Sequence, residues 1–91
     1  MTGTLTTDDL RAEIDRIDLE LLDLIEQRRR VSAQIQQLRM AEGGPRVVHS
    51  REAEVIGRWK AALGVSGTRI AQALLDLSRG PLVPLERAPR T

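Results

Sequence analysis

Cysteine is absent from the 91 residues, which excludes disulfides and thiolate metal sites and fits a reducing compartment. Histidine occurs once, at His49, and no cluster of His, Cys or carboxylates has metal-ligand spacing, so no metal is expected. Aromatics are nearly missing, with one Trp and neither Phe nor Tyr, which leaves base stacking without side chains to perform it. Neither sign of charge dominates: fourteen basic and thirteen acidic residues give a net +1. That balance argues against general binding to nucleic acid or a membrane surface. No apolar run approaches the ~20 residues of a membrane span. The opening "MTGTLTTDDL" lacks the basic and apolar parts of a signal peptide. The expectation is a cytoplasmic protein with no nucleic-acid or membrane partner.

Glycine and proline are missing from Thr4 to Glu42, and an aliphatic pattern fills the gap. Strides of four and three from Leu10 meet Ile14, Ile17, Leu21, Leu24, Arg28, Val31, Ile35 and Leu38. This predicts one helix of about 30 residues, roughly 45–50 Å long. Thr6 or Thr7 suits its cap, and Asp8 and Asp9 suit the positive first turn. A compact domain of this size has a radius of gyration of only about 12 Å. The helix therefore outreaches its own chain, and a second copy is the simplest cover for its seam.

"EGGPRVVH" (Glu42 to His49) reads as a loop. Ser50 can cap a second helix striped by Glu52, Val55, Ile56, Trp59 and Leu63, which Gly64 ends. Ser66 or Thr68 can cap a third, with Ile70, Ala73, Leu74 and Leu77 inward, stopped by Gly80-Pro81. The tail from Pro81 to Thr91 holds three prolines in eleven residues. The predicted fold is all-α: one domain of residues 1–91, core about 5–80, with three helices, long-short-short, in an intertwined homodimeric bundle.

Arg28 is the exception within the seam. A guanidinium on a buried helix face costs several kcal/mol unless something pairs it. Arg39 lies eleven residues on, nearly three turns, so both occupy almost one face about 16 Å apart. Arg11, seventeen residues before Arg28, is turned about 100° away and reaches the same ligand only from an antiparallel partner. Arg51 and Glu52 open the second helix. Arginines converging on an enclosed space suit a small anion with several carboxylates or phosphates. Glu52 adds an acceptor for a substrate hydroxyl. With no nucleophile–base pair, chemistry would rest on positioning and electrostatics. A lone seam arginine equally fits an interfacial residue whose head reaches water or a glutamate across a dimer. Arg29 and Arg30 read as a solvated face.

"LRAEIDRIDLELLDLIEQRRRVSAQIQQLRM" followed by "VVHSRE" resembles the all-helical, AroQ-type chorismate mutases over residues 5–80. Arg39, the loop "GG", "VHSRE" and the small size most resemble the short actinobacterial subclass activated by 3-deoxy-D-arabino-heptulosonate 7-phosphate (DAHP) synthase. The resemblance implies the rearrangement of chorismate to prephenate in aromatic amino acid biosynthesis, with no cofactor. It implies a homodimer in which Arg11 of one chain and Arg28 of the other hold the two carboxylates. Arg39 would reach a carboxylate and the ether oxygen, and Glu52 would accept from the ring hydroxyl. Arg51 would order the site or touch a carboxylate. Val48 stands where some relatives carry a carboxylate, leaving its backbone to contribute, and Val31, Ile35 and Val55 would form the apolar wall. Leu82 and Glu86 fall near polar positions of other relatives, across a proline-broken alignment that assigns them no role. The tail departs from the subclass after "SRG". The same arginines would also serve 4-amino-4-deoxychorismate or isochorismate. A non-catalytic helical dimer has little use for a cation in its seam.

Overall fold

A computed structural model describes residues 3–44 and 48–79, and these are all-helical, without strands. The first helix, α1 (Thr7–Ala41), is 35 residues long, about 52 Å at the α-helical rise. Thr6 caps it: the Thr6 hydroxyl accepts from the Asp9 N–H (3.0 Å), and the Asp9 carboxylate accepts from the Thr6 N–H (3.0 Å). The two bonds satisfy orphan donors reciprocally. They hold the Asp9 carboxyl below its usual value, the backbone bond most strongly. At the other end Gly43 turns left-handed (φ +79°), and the Gly44 N–H reaches the Arg39 carbonyl (2.7 Å).

The second helix, α2 (His49–Arg79), begins before the expected cap. The Val48 carbonyl accepts the first helical bond, from the Glu52 N–H (3.1 Å), so Ser50 lies inside the first turn. At Gly64 the backbone leaves the helix (φ +69°, ψ −148°), a conformation open essentially to glycine. The break falls where the sequence separates its second helix from its third. Helical backbone resumes at Val65, ahead of Ser66 and Thr68, so the two stretches form one bent element without a loop.

The bend brings the arms together at Gly67. A Cβ there would sit 2.0 Å from the Trp59 carbonyl oxygen. Gly67→Ala must push one arm away from the other, and we expect it to cost about 1–3 kcal/mol in urea unfolding, the range for overpacking. An unchanged midpoint would mean that the arms do not meet there.

Burial in the single chain is sparse. Among the described residues, Val55, Ala71 and Leu74 are the buried hydrophobic ones. The stripe expected inward on the last stretch is thus shifted: Gly67, Ala71 and Leu74 are buried, while Ile70, Ala73 and Leu77 stay exposed. On the first arm Val55 is buried, Ile56 and Trp59 are half-buried, and Leu63 is exposed. The eight aliphatic seam residues of α1 all remain exposed, between 38% for Ile17 and 65% for Leu38. What α2 covers instead is the flank Ile25, Arg28, Ser32, Gln36 and Arg39, all half-buried. Ser32, Gln36 and Arg39 each follow a seam residue by one position, about 100° round the helix. The long helix therefore has two working faces: a polar flank against its own chain and an open apolar seam. The shape agrees, with a radius of gyration of 17.9 Å and extents of 63 × 37 × 21 Å.

Candidate functional site

The polar flank of α1 and the two ends of α2 enclose a cleft of about 130 Å³. Three short runs line it, each at helical spacing. Arg28, Ser32, Ile35, Gln36 and Arg39 come from α1, Val48, Arg51, Glu52 and Val55 from the start of α2, and Leu75, Ser78 and Arg79 from its last turns. Steps of three and four put each run on one face. The bend at Gly64 is what returns the end of α2 to its beginning.

Five of the six residues singled out in the sequence meet here: Arg28, Arg39, Val48, Arg51 and Glu52. Ile35 and Val55 supply apolar wall, whereas Val31 lines a shallow neighbouring groove. Arg11 is elsewhere, about 25 Å along α1 from Arg28. It is exposed and only loosely paired with Asp8 (3.9 Å). The loop 45–47 and residues 80–91, with Leu82 and Glu86, lie outside the described residues.

Arg28 is not partnerless. Its Nη1 donates to the Ser78 hydroxyl oxygen (2.6 Å), and Ser78 in turn donates to the Leu74 carbonyl (2.8 Å). Nη2 of Arg79 lies 2.6 Å from both oxygens of Glu52. Nη1 of the same guanidinium meets Asp76 (2.6 Å). The bond to Glu52, more than any other contact, raises the Arg79 pKa, with burial opposing it. Arg51 leans on Glu54 (3.3 Å) at the surface. The side chain of Arg39 makes no hydrogen bond or ion pair among the described residues.

The electrostatic balance follows. Four arginines and one carboxylate line the cleft, and Arg79 engages that carboxylate. Arg28, Arg39 and Arg51 remain for an anion, each able to donate in a planar fork. The other arginines of α1 are spent on surface pairs: Arg16 with Glu13 and Glu20, and Arg29 and Arg30 with Glu26. Such pairs contribute little to stability. No group of three His, Cys, Asp or Glu among the described residues could hold a metal.

Sequence reasoning missed Ser32, Gln36, Ser78 and Arg79. For the first two a signal existed, since Arg28-Ser32-Gln36 is a polar stride of four beside the seam. Arg79 carries none: it is 27 residues from Glu52, across a break whose direction no spacing reveals.

The chain is similar to known proteins in sequence and in fold. Residues 10–78 match the model of the family "Chorismate mutase type II". The "Intracellular chorismate mutase" of Mycolicibacterium smegmatis is 51% identical over 75 residues, 82% of this chain and 72% of that protein. That of Mycobacterium tuberculosis is 52% identical over 75 residues, 82% and 70% of the two chains. Among solved structures, the non-covalent complex of DAHP synthase and chorismate mutase from Corynebacterium glutamicum, with a bound transition-state analogue, matches with a TM-score of 0.79. Identity there is 38%, over 84% of this chain and 92% of the matched one. A family match over most of the chain, with relatives above half identity, decides the matter: the chain belongs to the type II chorismate mutases.

Proposed function

We propose that the cleft binds chorismate and rearranges it to prephenate, and that the working enzyme is an intertwined homodimer of a single 1–91 domain, three helices per chain. One observation carries the reading: three arginines from two helices face a cleft whose one lining carboxylate is already paired. Chorismate is a dianion. In a concerted shift its ether C–O bond breaks as a C–C bond forms, and negative charge grows on the ether oxygen. Arg28 and, from a second copy, Arg11 would hold the carboxylates and so the chair-like conformer. Arg39, whose side chain has no partner among the described residues, would donate to the ether oxygen as charge develops. Glu52 would accept from the ring hydroxyl, Arg51 would order the mouth of the cleft, and Val48 would contribute backbone.

Two features support the dimer. The exposed aliphatic seam of α1 is too long for its own chain to cover. Charge along α1 is also segregated: residues 7–26 hold eight carboxylates and two arginines, residues 27–41 four arginines and no carboxylate. Antiparallel packing sets the acidic half of one copy against the basic half of the other, whereas parallel packing sets like against like. It also carries Arg11 toward the cleft of the other copy.

No helix among the described residues is long and apolar enough to cross a membrane. The name of the mycobacterial relatives, "intracellular", supports a cytoplasmic assignment. The Corynebacterium complex supports DAHP synthase as an activating partner.

The test is a chorismate-disappearance assay on purified protein of known sedimentation mass, with products separated by chromatography and the organism's DAHP synthase present or absent. Prephenate from a dimer is expected, formed faster with the synthase. A folded dimer that leaves chorismate untouched in both conditions, or releases pyruvate from isochorismate, would overturn the substrate assignment. A monomer would overturn the shared site.

A further inference from the structure

Glu52 is one carboxylate among four cleft arginines, and which of them it pairs with decides how many cations face the substrate. The structure pairs it with the one contributed by the last turn of α2. Nη2 of Arg79 sits 2.6 Å from both Glu52 oxygens, and Asp76 fixes Nη1 from the outer side at 2.6 Å. The pair is partly shielded, its side chains 28% and 20% exposed. A carboxylate has about four lone-pair sites, so Glu52 can accept from Arg79 and from a ring hydroxyl at once. Without Arg79, the long and rotatable Glu52 side chain would face Arg28, Arg39 and Arg51 alone. Pairing with any of them would cancel a charge needed for the dianion and remove the acceptor from the hydroxyl.

We propose that Arg79 is a positioning residue: it holds Glu52 as an acceptor and keeps it from capturing the substrate-binding arginines. The proposal rests on the chorismate assignment for its consequences, and on the geometry of the Glu52–Arg79 pair for itself. Asp76, largely exposed, aims the guanidinium and contributes less.

The experiment is a double-mutant cycle read in two ways. On chorismate, Arg79→Gln should lower kcat/KM by about 10- to 100-fold, the scale of a small misplacement of a reacting group. Arg79→Lys, which keeps one charged donor, should retain most of the rate. In a Glu52→Gln background, Arg79→Gln should cost less than about twofold, because an amide does not capture arginines. An equal loss in both backgrounds would make Arg79 merely structural and overturn the proposal, and so would no loss in either. The same four proteins are then compared by thermal unfolding. Non-additive melting shifts support the pair, and additive shifts overturn it. That second reading decides the pair even if the unmutated enzyme leaves chorismate untouched, a result that would sink the substrate assignment instead.

Discussion

Arg28→Ala should leave a folded protein that turns over chorismate at least about a hundredfold more slowly, the scale of loss when a group that anchors the reactive conformer is removed. Both halves of that expectation follow from the geometry. Arg28 is half-buried on the polar flank of α1, the charged seam position that also faces the cleft. Its protein contact is the neutral Ser78 hydroxyl. Losing that contact costs about 1 kcal/mol or less, since the Ser78 hydroxyl still donates to the Leu74 carbonyl and its oxygen can turn to water. Removing one of the three cleft arginines not paired with Glu52 also relieves repulsion among them. Stability should therefore hold within about 1 kcal/mol of the parent while activity collapses. Arg28→Lys should fall between, keeping the charge but losing the planar fork. Chorismate disappearance and thermal unfolding on the same preparations check both. A variant that unfolds would make Arg28 a structural residue, and one that keeps its rate would remove it from the site.

How far the sequence reaches is set by what local spacing encodes. The 4-3 stripe of α1, its Thr6 cap and its end at Gly43 need only neighbours within a turn or two, and each is found where expected. The break at Gly64 was legible because glycine is the residue that tolerates φ +69° with ψ −148°. Its sharpness was not, because the close approach of Gly67 to Trp59 depends on an absent side chain meeting backbone eight residues away. Arg28 and Glu52 stood out as charges inside apolar stripes, Arg39 by its spacing from Arg28 and Arg51 by its place beside Glu52, and their gathering at one cleft needed only α2 to fold back on α1. Which face of α1 that return covers was not legible. The aliphatic seam was expected to be covered by a second copy, and the chain's own α2 covers the polar flank beside it. Periodicity marks residues that avoid water without saying whether their own chain or another shields them. The same limit hides Arg79, whose role arises only when the end of α2 meets its start.

That division of α1 into two faces leads to the second large effect. If the seam packs antiparallel on its copy, each cleft takes Arg28 from one chain and Arg11 from the other. Arg11→Ala and Arg28→Ala should then each be nearly inactive as homodimers. Mixed in equal amounts and allowed to exchange subunits, they should recover about a quarter of the parent activity, because half the dimers are mixed and each has one intact site of two. The other site of a mixed dimer lacks both arginines. Intrachain models give a different result, since every chain then carries a defect in its own site and mixing restores nothing. Exchange is confirmed independently by native mass spectrometry of chains that differ in isotope labelling. Recovery should also vanish if Leu21 and Leu24, both exposed in the single chain, are replaced by Asp in the two variants, because desolvating carboxylates among aliphatic side chains opposes the packing that forms the dimer. Activity that returns without exchange, or fails to return with it, would place Arg11 outside the cleft and leave the charge segregation of α1 without a catalytic reason.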